Sequence, residues 1–336
     1  MGGTSEEGRL LSVFVPRAWP EAEIFRVGRS GWRPLSDCKF GARDPGETDV
    51  LGRPPPGDLA FVFGGEGADR SVDQVDQLVG LGYRVVAVGG LGRRGDPIAA
   101  SGINDVRVCA GSRVVVSPTV TSIAVATVVA PLARRWVLES ATVSSYQAVS
   151  MGGAPSARRA TDRGRSSDSG DTQGRAGPPE ARSSEWERVD ATGFSAIERR
   201  VAVEVRKLLK LPALAFSVQC WRVPAGAGLD ELGSFENVWF TLGQPANIGD
   251  ISAVLKDATA APYVHHVAPE RGDGGTVWPC RQRPGRVCVG GVRRDLRDDS
   301  GRSFCLRLGT NNMHMGTVAN AVRLASLWFP TRVGDL

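Results

Sequence analysis

Residues 113–132 read RVVVSPTVTSIAVATVVAPL, and this stretch decides the fold. The β-branched run Val114, Val115, Val116 has the composition of a strand buried on both faces, as in a parallel sheet. Ser117-Pro118-Thr119 then turns the chain into an apolar segment from Thr121 to Leu132 that reads as a central helix. A strand, a tight turn and a helix in that order bring free backbone N–H groups, and the positive end of a helix dipole, to one spot. Such a tip lowers the pKa of a thiol or holds an anion. The place for a nucleophile there is Val120, whose side chain has no such chemistry.

Working outward toward the amino end, Leu59-Ala60-Phe61-Val62-Phe63 reads as a buried strand, residues 71–81 as an amphipathic helix and residues 84–88 as another strand. The alternation predicts βαβ crossovers and a parallel sheet. Gly89-Gly90-Leu91-Gly92-Arg93-Arg94 follows a strand, at the edge where open α/β sheets place ligands. The chain opens MGGTSEEG, with a helix expected over residues 9–14. Gly2, Gly3 and Gly8 have the composition of a turn that brings backbone close to a dinucleotide phosphate. No strand delivers that turn, so the first strand of a Rossmann sheet is missing: either the start lies further upstream or cofactor binding has been lost.

Toward the carboxyl end, residues 136–150 (WVLESATVSSYQAVS) read as a strand. Residues 152–185 are rich in Ser, Arg, Gly and Pro and have no hydrophobic period, so a flexible, disordered insertion is expected over 152–190. Residues 194–209 form an amphipathic helix with Ile197, Val201, Val205, Leu208 and Leu209 on its apolar side and Glu198, Arg200, Glu204 and Lys207 on the wetter ones. Strands are expected at 214–224, 237–242, 286–295 and 304–308, a short helix at 250–258, and a last helix from Asn311-Asn312 to about Trp328. Strands with few crossover helices imply a mostly antiparallel sheet covered on one face.

Composition narrows the functional classes. The chain has 336 residues, 41% of them hydrophobic, which suits about two domains. No signal peptide opens it and no run approaches the roughly 18 apolar residues of a membrane span, so a cytoplasmic location and no membrane contact are expected. Six scattered cysteines (Cys38, Cys109, Cys220, Cys280, Cys288, Cys305) form neither a CxxC pair nor a cluster with histidine, which predicts no metal site and no disulfide framework. The net charge is +5, but the arginines are spread along the chain without interleaved aromatics, so no nucleic-acid partner is expected. The histidines are His265, His266 and His314; the first two read as plain residues of a loop, the third as a solvated or pocket-edge side chain.

Several stretches together resemble the aspartate-semialdehyde dehydrogenase family, over nearly the whole chain except residues 152–185. Residues 145–150 (SYQAVS) resemble the family's STYQAVSGAG, and Arg222-Val223-Pro224, with Cys220 two residues earlier, resembles its CVRVPV strand. Residues 203–209 (VEVRKLL) are similar to NETRKIL, and Asn312, Gly316, Asn320 and Ala321 match the DNLRKGAALNAV helix. The resemblance implies an α/β protein with a Rossmann-like parallel-sheet domain over 1–135 and an α+β dimerisation domain with a mostly antiparallel sheet. The latter begins at 136–151 and continues over 191–310, and the helix of 311–336 returns to the nucleotide domain.

That family reduces aspartyl phosphate reversibly with NADPH through a thioacyl enzyme, and the likeness carries its roles over residue by residue. Gln147 matches the acyl-orienting glutamine and Arg222 the carboxylate-binding arginine. Arg94 falls at the phosphate arginine, and Arg200 stands where a phosphate-contacting lysine is usual. Gly2, Gly3, Gly8, Asn312 and Gly316 are the expected NADP contacts. The family's NPNCST is Ser117-Pro118-Thr119-Val120-Thr121-Ser122 here, so the cysteine position is Val120; the histidine position, seven residues past Arg222, is Leu229. Neither can serve a covalent route. Three readings stay open: a relative without semialdehyde dehydrogenase activity, an enzyme of altered chemistry on a small acidic metabolite with or without NADP, and a partner subunit of an active homologue in place of a homodimer.

Overall fold

The structure, a computed structural model, describes residues 6–22, 25–28, 31–34, 58–63, 68–89, 95–105, 111–148, 189–223, 233–257, 259–267 and 285–330. In chain order these form α1 (Glu6–Ala18), β1 (Phe25–Gly28), β2 (Gly31–Pro34), β3 (Leu59–Phe63), α2 (Ala68–Gly80), β4 (Arg84–Val88), β5 (Val114–Ser117) and α3 (Val120–Arg135). Then follow β6 (Leu138–Ala148), α4 (Ala196–Leu209), β7 (Ala215–Val223), β8 (Gly233–Leu242), α5 (Ile248–Lys256), β9 (Val264–His266), β10 (Val287–Arg294) and β11 (Ser303–Asn311). The chain closes with a π-helical segment (Asn312–Ala319) and α6 (Asn320–Ser326).

Strands β3, β4 and β5 pair in parallel, in that order. Alternate residues of a strand face opposite sides, and here both sides are covered. Val85 and Ala87 pack with Val75 and Leu78 of α2, while Val86 and Val88 pack with Ala321, Leu324 and Ala325 of α6. This double burial is why the strands read as apolar runs. Asn320 fastens the last helix to the sheet: its Oδ1 accepts from Ser101 N (2.8 Å), and its Nδ2 donates to Ser117 Oγ (2.7 Å) at the end of β5.

The second sheet has six strands in the order β7-β6-β8-β11-β10-β9. Strands β6 and β7 are parallel, as are β9 and β10, and the three pairs between are antiparallel, in keeping with a mostly antiparallel sheet. One face carries the main core, where Val143, Val218, Val238, Phe240, Leu306 and Leu308 meet α3, Val201 and Val205 of α4, and Ile251 and Leu255 of α5. Phe240 and Phe304 stack at 5.8 Å between centroids. The central helix α3 is buried along its whole face from Val120 to Leu132, as its uncharged composition requires.

Several expectations need correction. His265 and His266 belong to strand β9, not to a loop, and are half-buried. Strand β8 starts at Gly233 rather than 237, so Ser234 and Glu236 join the inward set of Val238, Phe240 and Leu242. Glu204 lies inside the protein, not on a wet side of α4. The helix after Asn311 opens with π-helical turns before becoming α-helical. Helix α1 begins at Glu6, so Gly8 is a helical residue and not part of a turn ahead of it. Most of the insertion expected over 152–190 lies outside the described residues, as do Gly2, Gly3, Arg94 and Leu229.

Candidate functional site

The tip of α3 is stabilised from an unusual direction. Thr119 is the N-cap residue, the usual source of an accepting oxygen, yet its side chain makes no capping bond. Instead Thr119 N (2.9 Å), Thr119 Oγ1 (2.7 Å) and Ser122 Oγ (2.7 Å) all donate to Oε2 of Glu204, reaching across from α4. The carboxyl group thus engages the backbone N–H of the N-cap residue and two hydroxyls at the tip. Burial pushes the Glu204 carboxyl above the usual carboxylate range, and the Ser122 and Thr119 bonds offset this only in part.

Val120, at the first helical position, is buried against the π-helical segment. An added Cβ on Gly316 would overlap the Val120 side chain, so the glycine is what admits the valine. Val120 and Gly316 are therefore brought together, and they meet as packing partners.

Gln147 and Arg222 are also brought together, as register partners on β6 and β7. Gln147 is buried; its Nε2 donates to Thr121 Oγ1 (2.5 Å) on α3 and to Ser145 Oγ (3.0 Å). Ser145 in turn donates to Glu236 Oε1 (3.3 Å) on β8, its cross-strand partner. Arg200 points the other way, with Nη1 donating to Gly89 O (3.4 Å) at the end of β4, and it also acts electrostatically on Glu204. Asn312 is buried at the end of β11, its Nδ2 donating to Gly233 O (3.2 Å). His314 packs edge-on to Phe14 at 5.5 Å, apart from this row.

Sequence reasoning missed Glu204, Ser145 and Glu236. The signal for Glu236 was present in the alternation of SFENVWFTL, where it shares the phase of Val238, Phe240 and Leu242. For Glu204 the helix pattern gave a half-correct picture, because it lies between Val201 and Val205 on the inward arc of α4.

Chemically, the described residues of the site offer hydroxyls and carboxyls, and none of them is an activated nucleophile. Of the thiols among the described residues, Cys220 stands beside Gln147, with Nε2 to Sγ at 3.9 Å. Burial, with Glu198 and Glu236 close by, pushes that thiol up to about 12, so it is not a thiolate at neutral pH. Burial also pushes Glu236 up to about 8, leaving it mostly protonated at pH 7 and a poor base for Ser145. Among the described residues no group of His, Cys, Asp and Glu is arranged to hold a metal ion, and no helix is long and apolar enough to cross a membrane.

A pH prediction follows from Glu236. A carboxyl that holds its proton more tightly folded than unfolded contributes stability that is complete below the unfolded pKa, near 4.5, and is lost as pH rises toward about 8. Thermal melts across pH 5 to 8 are expected to show falling stability, by on the order of 1 kcal/mol per pH unit. Glu236→Gln should reduce that slope, and an unchanged slope would contradict the assignment.

No family model matches the chain, and no curated protein matches its sequence. Solved structures do. A probable aspartate-semialdehyde dehydrogenase from Pseudomonas aeruginosa superposes with a TM-score of 0.72 at 19% identity, covering 99% of this chain and 98% of that one. Aspartate semialdehyde dehydrogenase II from Vibrio cholerae gives 0.68 at 15% identity over 99% and 98%. The enzyme from Francisella tularensis gives 0.62 at 14% over 81% and 82%. With the parallel sheet, the mixed six-stranded sheet and the helix that returns from the second to the first, the chain has the fold of the aspartate-semialdehyde dehydrogenases.

Proposed function

We propose that the chain is a divergent member of the aspartate-semialdehyde dehydrogenase family that does not carry out phosphorylating semialdehyde oxidation. The observation that carries this reading is the tip of α3: Val120 is packed on Gly316, and the adjoining donors are bonded to Glu204. A thioacyl route needs sulfur at that tip and a base within hydrogen-bond reach of it. Cys220 does not substitute, because burial keeps it a thiol. Leu229, at the family's histidine position, supplies no base by its own chemistry. Cys109, another conceivable substitute, lies outside the described residues.

A second reading, a pocket that still takes a small acidic metabolite, draws support from Arg222 lying in register with Gln147. NADP is part of this proposal at its nicotinamide end only. Asn312 Oδ1 is enclosed without a hydrogen-bond partner, and an acceptor there suits a carboxamide N–H. At the phosphate end, Gly8 offers no turn because it is helical. For partners, the outer face of the large sheet bears Tyr146 and Trp221, paired in register and both exposed, which supports a homodimer or a heteromer with an active homologue.

Purified protein given aspartate semialdehyde, phosphate and NADP is expected to show no turnover above the blank, and the same mixture read by thermal shift separates the two readings. A ligand-dependent rise in Tm that Arg222→Ala abolishes supports the acidic-ligand pocket; no rise in either protein removes it. Turnover that Arg222→Ala abolishes overturns the proposal as a whole. Sedimentation equilibrium should give a multiple of the 35.6 kDa chain mass, and Trp221→Asp should lower it; a monomer in both proteins contradicts the interface.

A further inference from the structure

Among the described residues β7 is the last strand on one side of the large sheet, and it is long, with nine residues from Ala215 to Val223. On the other side the sheet ends in β9, which has three. An edge strand presents a row of backbone N–H and C=O groups that can pair with another chain, and proteins blunt such edges with short length, lysine, proline or a bulge. Strand β9 is blunted by its length. Strand β7 carries none of these devices within itself. Residues 213–221 read ALAFSVQCW, without charge, proline or glycine, and the pairing with β6 runs from Ala215 to Val223 without a register shift. An uncharged run of this kind favours strand-to-strand association.

What lies against the edge comes from α4. Arg206 Nε donates to Leu214 O (2.9 Å) and its Nη2 to Phe216 O (3.1 Å), while Nη1 donates to Ala202 O (3.3 Å) on its own helix. Further along, Glu198 Oε1 accepts from Cys220 N (2.8 Å). Its Oε2 accepts from Ser195 N (2.7 Å) and Ser195 Oγ (2.8 Å), which fixes the carboxyl group at the start of α4. Alternate residues of a parallel strand direct their backbone groups to opposite neighbours. Phe216 and Cys220 therefore face away from β6, and so does Val218 midway between them. Both contacts from α4 fall on this outward set. The planar fork of Arg206 reaches two carbonyls of one strand at once, which a lysine does not match.

We propose that Arg206 and Glu198 are edge guards: they close β7 against antiparallel pairing with β7 of a second copy, a strand of matching length and composition. Backbone groups already bonded to side chains of their own chain are not free to form a ladder, and displacing those side chains leaves a guanidinium and a carboxyl group without partners at the helix–sheet boundary, where both are half-buried. The guard is independent of the contact through Tyr146 and Trp221 on the outer face. The mass of the wild type reports that face contact, and the difference between a guard variant and the wild type reports the edge. An isologous edge contact added to an isologous face contact builds assemblies beyond the dimer.

The test is sedimentation velocity of the full chain and of Arg206→Met, which keeps an apolar stem and removes the guanidinium, at ~5 and ~200 μM. Hydrogen exchange is read on the peptide carrying residues 214–223. Glu198→Ala, which frees Cys220 N, is run beside it as a second variant, and a cooperative melt shows which variants fold. At the higher concentration a folded guard variant is expected to reach about twofold the wild-type mass or more, with residues 214–223 better protected than at the lower one. Gln219 is exposed on this strand, and Gln219→Lys adds a charge at the edge. Combined with Arg206→Met it is expected to return the mass to that of Gln219→Lys alone. Equal masses for a folded guard variant and the wild type overturn the proposal. Added mass that leaves residues 214–223 unprotected, or that Gln219→Lys does not remove, overturns it as well.

Discussion

Three donors at the start of one helix converge on a single oxygen of Glu204, and the rest of the site is arranged around that contact. A helix buried from Val120 to Leu132 has its amino end inside the protein, where unpaired N–H groups are costly. Here the chain supplies its own carboxyl from α4, and the isopropyl group of Val120 fills the remaining space against Gly316.

Both sheets are held together away from that tip. The parallel sheet is held by apolar residues on both faces, and the large sheet by its contact with α3, α4 and α5; neither depends on the chemistry at the tip. Asn320 joins the last helix to Ser101 and to Ser117 at the end of β5 through side-chain bonds.

Much of this was legible in the residues. The run from Val114 to Leu132 specified a buried strand and a buried helix because its apolar residues leave no face for water, and both elements are found there. The ends of elements were less legible. Gly233 to Glu236 lacks the aliphatic alternation that begins at Val238, so the pattern starts this strand at 237, four residues late, and leaves Ser234 and Glu236 outside it. Glutamate is rarely buried, so the sequence alone places Glu204 on the wet side of α4; that rule fails where several donors face it across a helix interface. His265 and His266 give no strand signal, since β9 is a three-residue strand that, among the described residues, pairs with β10.

The central claim is that no covalent acyl intermediate forms at the α3 tip. Intact-mass and peptide-level mass spectrometry, after incubation with aspartate semialdehyde and NADP and an acid quench, tests it most directly. The account predicts an unmodified chain. A substrate-derived adduct on the peptide spanning residues 113–134, or on the one carrying Cys220, would contradict it.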